Sequence, residues 1–203
     1  MLILVINIFI RELERPEIEK TRLIDRGELI ENVYYHENGK LVLKPEVYDL
    51  NGWGPDQMDS ILPDLYVCFD RGGIFWGAFE GSSKNNGGAA VPHPSICSAT
   101  QDADLIGISV LDNQFLGPEK NQLQLKFLHV SRPYRKSGVG KTLFVRAAET
   151  ARSLGAEKLY ISATPSENTV HFYQGLGCVV MDEVDPVLFQ LEPEDIHFEY
   201  LIP

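Results

Sequence analysis

A glycine turn feeding a long amphipathic helix constrains this chain more than any other feature. Arg135-Lys-Ser-Gly138-Val-Gly140-Lys141 follows a strand-like run that ends at Val130, and leads into apolar positions Val139, Leu143, Phe144, Ala147, Ala148, Ala151 and Leu154. Those positions recur at helical intervals, and Gly155 is placed to stop the helix in a left-handed conformation. Strand, turn and helix are thus all marked. A glycine-rich turn entering a helix presents unpaired backbone N–H groups and the positive end of the helix dipole, and the missing side chains let an anion approach the backbone. Pyrophosphate is the natural guest.

Charge supports an anion there. The chain has 29 Asp and Glu against 18 Lys and Arg, a net charge of −11. Yet residues 126–146 hold six basic residues, Lys126, Arg132, Arg135, Lys136, Lys141 and Arg146, and no acidic one, whereas no Lys or Arg follows Lys158. A basic patch at a helix start in so acidic a chain is explained by an anion that needs it. The overall charge argues against nucleic acid and anionic membrane surfaces as partners, and accommodates a cationic small molecule more easily.

Two nucleotide motifs compete for the loop and fit it poorly. Gly140-Lys141-Thr142 imitates the tail of a P-loop, but that motif needs glycine where this chain has Arg135, and no magnesium-carboxylate strand follows. The dinucleotide signature GxGxxG fails at its third glycine, which is Leu143. His36, His93, His129, His171 and His197 show no metal-ligand spacing, so no metal is expected, and there is no GxSxG elbow. Cys68, Cys97 and Cys178 are odd in number and without a CxxC pair, which implies reduced thiols in a cytoplasm. The apolar run at residues 1–10 is too short to span a bilayer and lacks the marks of a signal peptide; it reads as a buried strand.

The remaining pattern is α/β in one domain over residues 1–203. Leu13, Ile18, Leu23, Ile24, Leu29, Ile30 and Val33, among many charges, predict one or two amphipathic helices within residues 12–35. Asn38-Gly39 supplies the positive-φ pair of a hairpin over residues 35–43. A helix is predicted at 55–69 and strands at 73–79 and 105–111, separated by a spacer of loop composition at 81–104 that reads as a flexible hairpin insertion. Then come a strand at 123–130, the helix to Leu154, a strand at 158–163, a short helix to Gly175 and a closing strand at 196–202.

Arg135-x-x-Gly138-x-Gly140 resembles the Q/RxxGxG/A pyrophosphate loop of the GNAT superfamily of acyl-CoA N-acyltransferases. Leu128-His129-Val130 looks like the end of that family's central strand, and Phe172-Tyr173-Gln-Gly-Leu176-Gly177 like its FYxxxG segment; together these cover roughly the last eighty residues. The resemblance implies a mixed, mostly antiparallel central sheet flanked by helices, with a V-shaped splay between two central strands. It implies acetyl-CoA as co-substrate, its pantetheine bonded to backbone at Leu128, His129 and Val130. The phosphates would lie on the amides of Lys136, Ser137, Gly138, Val139, Gly140 and Lys141, with charge from Arg135 and Lys136 and help for the cofactor arm from Asn168.

The implied reaction is transfer of an acetyl group to an amine, metabolite, antibiotic or peptide, by direct attack in a ternary complex. Such a reaction needs an uncharged amine, a donor for the developing oxyanion and a proton for the departing thiolate. Tyr173 matches the family's proton donor, and backbone N–H at His129 and Val130 would polarise the carbonyl. The base stays open among His129, Glu80, carboxylates of the acceptor region and direct attack through a water chain, with His129 the less favoured because it reads as a strand side chain. The acidic residues Asp182, Glu183, Asp185, Glu192, Glu194, Asp195 and Glu199 read as solvated, with an approach for a cationic substrate as the other possibility. Paired protomers are common in families like this. A noncatalytic acyl-CoA sensor, or a P-loop nucleotide binder, are the competing readings.

Overall fold

The computed structural model describes residues 7–81 and 103–203; residues 1–6, and 82–102 with His93 and Cys97, lie outside the described residues, as does most of the expected insertion. A seven-stranded sheet carries the fold in the order β1-β4-β5-β6-β7-β9-β8. Its strands are β1 Asn7–Glu12, β4 Ile74–Gly81, β5 Asp104–Leu116, β6 Gln122–Val130, β7 Lys158–Ala163, β8 Val179–Val180 and β9 Ile196–Leu201. Every neighbouring pair is antiparallel except β6 and β7. A separate hairpin pairs β2 Glu28–Glu37 with β3 Lys40–Leu50. Around them lie α1 Gln57–Asp70, α2 Val139–Ser153, α3 Glu167–Gly175 and α4 Pro186–Leu191.

One apolar cluster joins α2 and α3 to β6, β7 and β9, through Leu123, Leu125, Phe144, Ala147, Leu159, Ile161, Val170 and Phe198. A second packs α1 and the 3-10 segment Arg15–Leu23 against β4 and β5, through Ile18, Leu62, Leu65, Phe75, Phe79 and Ile108. The residues expected to form the apolar stripe of α2 are buried from Val139 to Ala151, while Leu154 caps the helix and stays exposed.

Two features of β6 place the site. Its parallel pairing with β7 covers only Gln122, Leu123 and Gln124, opposite Lys158, Leu159 and Tyr160, while β7 goes on to pair with β9 as far as Ala163. The two strands therefore part beyond Gln124, which is the splay that the resemblance implied. Just past that vertex the register with β5 slips, Val110 facing Phe127 but Leu111 facing Leu125, so Lys126 is an extra residue on β6. A bulge exchanges the faces of all that follow. Leu123 and Leu125 pack towards α2, whereas Phe127 packs with the α1 cluster and Leu128 and Val130 turn towards α2.

The helical expectation for residues 12–35 holds only for Arg15–Leu23, a 3-10 helix; Glu28 onwards is strand β2. Ile30 and Val33 are both buried and Leu29 is exposed. A spacing of three imitates a helix in sequence, but on a regular strand it puts two residues on opposite faces. Here Val33 bridges to Ser166 and the Tyr34 N–H donates to the Pro165 carbonyl at 2.7 Å, so β2 is covered by the loop before α3.

Candidate active site

The turn before α2 is built from left-handed residues. Lys136 has φ 62° and Gly138, the N-cap, has φ 91°. The first main-chain bond of the helix comes from Thr142 N to the Gly138 carbonyl at 3.0 Å. Backbone N–H groups of Lys136, Ser137, Gly138, Val139, Gly140 and Lys141 therefore have no backbone acceptor among the described residues. Nothing lies within 4 Å of where a Cβ on Gly138 would stand, and a Cβ on Gly140 would meet the Phe172 ring at 3.4 Å. The glycines keep the turn open on one side and let α3 pack close on the other.

The parted edge of β6 adds main-chain groups. Ser131 N donates to the Ile106 carbonyl at 2.8 Å, so Ser131 and His129 turn their backbone groups towards β5. Alternate residues of a strand point to alternate edges, so Leu128 and Val130 face the splay. Of the backbone donors expected at His129 and Val130, the geometry leaves Val130 on the open edge.

On the opposite face of β6, the His129 ring sits 4.4 Å from that of Phe127 and edge-on to Trp53 at 5.0 Å, centroid to centroid. Burial, with the cations Arg26 and Arg135 nearby, pushes His129 down to about 3, so its imidazole is neutral and weakly basic. Tyr173 is buried against Phe144, Phe172 and Phe198. Burial first, then electrostatic coupling to Cys178 and Asp195, raises its pKa, with no hydrogen bond opposing the rise.

A family model, "Acetyltransferase (GNAT) family", matches residues 61–178, more than half of the chain. The chain belongs to the GNAT acetyltransferase family. Among solved structures it resembles a nourseothricin acetyltransferase, at 16% identity and TM-score 0.64, covering 97% of this chain and 99% of that one. A GNAT-family acetyltransferase from Staphylococcus aureus Mu50 is similar at 17% identity and TM-score 0.59, covering 97% and 100%. PaiA N-acetyltransferase from Thermoplasma acidophilum, in complex with coenzyme A, is 18% identical with TM-score 0.55, covering 96% and 99%. At these identities the likeness is one of fold. No curated protein matches the sequence.

Several side chains expected at the site already have partners within this acetyltransferase. Arg135, expected to add charge to the phosphates, donates through Nε to the Val130 carbonyl at 3.0 Å and through Nη1 to the Gly27 carbonyl at 3.2 Å, and pairs with Glu28 at 3.4 Å. It staples the loop before β2 to the end of β6. Asn168, expected on the cofactor arm, donates to the other oxygen of Glu28 at 2.9 Å. Lys136 and Lys141 are exposed and make no ion pair among the described residues. Glu80 accepts a hydrogen bond from Tyr134, which lifts that phenol to about 12, so the carboxylate is already engaged.

Three residues beside the site escaped the sequence reading. Arg26 and Trp53 lie beside His129 and Glu28 pairs with Arg135, and the only mark they leave in sequence is a tryptophan between two glycines, Gly52-Trp53-Gly54. Asp195, read as solvated, is half-buried and pushed up to about 7 by burial and by Glu192 and Glu194. The unforeseen helix α4 did have a signal, Asp185-Pro186: the Asp185 carboxylate accepts from Val187 N at 2.9 Å and Leu188 N at 3.1 Å, with proline in the first turn. Among the described residues no helix is long and apolar enough to cross a membrane.

Proposed function

We propose that this acetyltransferase moves an acetyl group from acetyl-CoA to a primary amine of a small molecule or peptide, by direct attack while both are bound, and that it works in the cytoplasm. The observation that carries the reading is the run of six unpartnered N–H groups at residues 136–141, set beside the parted edge of β6. These amides, the dipole of α2 and the exposed Lys136 and Lys141 suit a diphosphate, and the bare Gly138 leaves room for it. Coenzyme A supplies the activated thioester.

The chain's own residues then divide the work. Leu128 and Val130 offer main-chain groups to an extended arm along the open edge, and Val130 N–H is placed to polarise a carbonyl. Tyr173 stays protonated because it is buried, and so can give a proton to a departing thiolate. His129 is too weak a base to take a proton near neutrality, and serves as a neutral wall of the acceptor face. Asp195 has the pKa for accepting the amine's proton and lies close enough to Tyr173 to raise that phenol.

Titration calorimetry with coenzyme A, followed by thiol release from acetyl-CoA across a panel of amines, tests this. Tyr173→Phe should lower turnover by about a hundredfold while leaving coenzyme affinity within about twofold. Binding without turnover for any amine would make the protein a sensor, and magnesium-dependent uptake of ATP would make it a nucleotide binder.

A further inference from the structure

Segment 25–28 is fastened to the end of β6 from several directions. Arg132 N donates to the Asp25 carbonyl at 2.8 Å and Asp25 N to Ser131 Oγ at 3.1 Å. Arg135 links the Gly27 carbonyl to that of Val130. Arg26 is thereby held over the acceptor face, its guanidinium carbon 5.0 Å from the centre of the Trp53 ring. It is half-buried and, among the described residues, makes no hydrogen bond and no ion pair. The carboxylates beside it are committed elsewhere: Glu28 to Arg135 and Asn168, and Asp25 Oδ1 to Gly27 N at 2.8 Å.

A second donor next to Arg26 is also without a partner. Trp53 stacks on Phe127 at 6.0 Å with an interplanar angle of 11°, and its indole Nε1 is buried with no acceptor. Half-buried cations and buried N–H groups are costly unless something accepts from them. Two such donors side by side fit a ligand that brings oxygen acceptors and negative charge. The cofactor phosphates are not that ligand, because the amides of 136–141 and Gly140 lie with Val130 on the α2 side of β6, whereas Trp53, Phe127 and His129 lie on the other.

We propose that the acceptor is an amino carboxylate, an amino acid or close analogue, whose carboxylate docks on Arg26 and the Trp53 N–H while its amine faces the splay. This rests on the acetyl-transfer reading and narrows its substrate class. A zwitterion suits both fields of the molecule: its ammonium is drawn by the net charge of −11, and its carboxylate is met by the Arg26 guanidinium, which has no carboxylate partner among the described residues.

The test is thiol release from acetyl-CoA with the common L-amino acids, their primary amides and spermidine, on the wild type, Arg26→Gln and Arg26→Lys, with melting curves and acetyl-CoA calorimetry on each. An amino acid should be acetylated, and its amide should lose about tenfold or more in kcat/KM. Arg26→Gln should raise KM for the amino acid about tenfold, bring it level with the amide and leave acetyl-CoA affinity unchanged; Arg26→Lys should recover part of the loss. Amides or spermidine used as well as amino acids would overturn the proposal, as would an Arg26→Gln defect in acetyl-CoA binding. Should Arg26→Gln fail to fold, the wild-type comparison of acid with amide decides alone. Acetyl-CoA binding with turnover of other amines but no amino carboxylate defeats this inference only, whereas no acetyl-CoA binding at all defeats the acetyl-transfer reading beneath it.

Discussion

Gly138 and Gly140 do different things although the motif names both. Gly138 sits at φ 91° with open space around it, so Gly138→Ala meets no neighbour but strains the backbone by about 1 kcal/mol, and places its methyl where a diphosphate would lie. Coenzyme A affinity should fall about tenfold by calorimetry, with a melting temperature lower by only a few degrees. Gly140→Ala needs the Phe172 ring to give by tenths of an ångström from 3.4 Å, so affinity should stay within about twofold, in keeping with a motif that admits alanine there. Asp195 yields a pH effect. Its folded-state pKa, about 7, lies above that of the unfolded chain, so the folded protein holds a proton that the unfolded one releases, and stability declines as pH rises from about 4 to about 7. Asp195→Asn should melt higher than wild type at about pH 8, by the equivalent of up to about 4 kcal/mol for a shift of about three pH units, and level with it near pH 4. A wild type more stable at the alkaline end would refute the assignment. The motif made Gly138 and Gly140 legible, but where the Arg135 guanidinium goes depends on Gly27 and Glu28, more than a hundred residues away in sequence.

The strand-turn-helix element around Gly138 and the Asn38-Gly39 hairpin were legible because each is fixed by local chemistry, left-handed glycine in both and an apolar period of 3.6 in the first. Strand β2 was not, because tertiary cover rather than one apolar face decides its burial, and a spacing of three between Ile30 and Val33 reads as helix. Nor does sequence show the Lys126 bulge, which sends His129 to the face of β6 that carries Trp53 and Phe127 and Val130 to the face that packs on α2. The cover over β2 is a set of polar contacts with α3. Asn32 Nδ2 donates to Glu167 at 2.8 Å, the Tyr34 hydroxyl meets His171 Nε2 at 3.0 Å, and Glu28 takes Asn168. Asn32→Asp replaces the first with two facing carboxylates, which should cost about 1 kcal/mol at low salt and less as salt screens them. Melting in dilute buffer and at about 1 M salt measures it; a deficit that ignores salt would mean the loss is packing rather than charge.

Over the whole molecule the charge pattern was the most informative part of the sequence, since the basic stretch 126–146 in a chain of net charge −11 maps onto the end of β6 and the start of α2. The split sheet gives that pattern a mechanical consequence. Beyond Gln124, β6 with the α1 half and β7 with the β9 half share no strand pairing, and are joined across α2, through the few residue pairs at the vertex and through β2, which is tied to the end of β6 at one end and packs on α3. A ligand filling the splay touches both halves and binds only the folded chain, so it stabilises by RT ln(1 + [L]/Kd), about 2.7 kcal/mol at a concentration of about 100 Kd. For a chain of this length that is a rise in melting temperature of about 5–10 °C. Coenzyme A should produce it in the wild type at fixed protein concentration. Because Gly138→Ala weakens binding about tenfold, the same concentration should give that variant roughly half the rise. A full rise in Gly138→Ala would mean that the ligand stabilises the fold from somewhere other than the turn before α2.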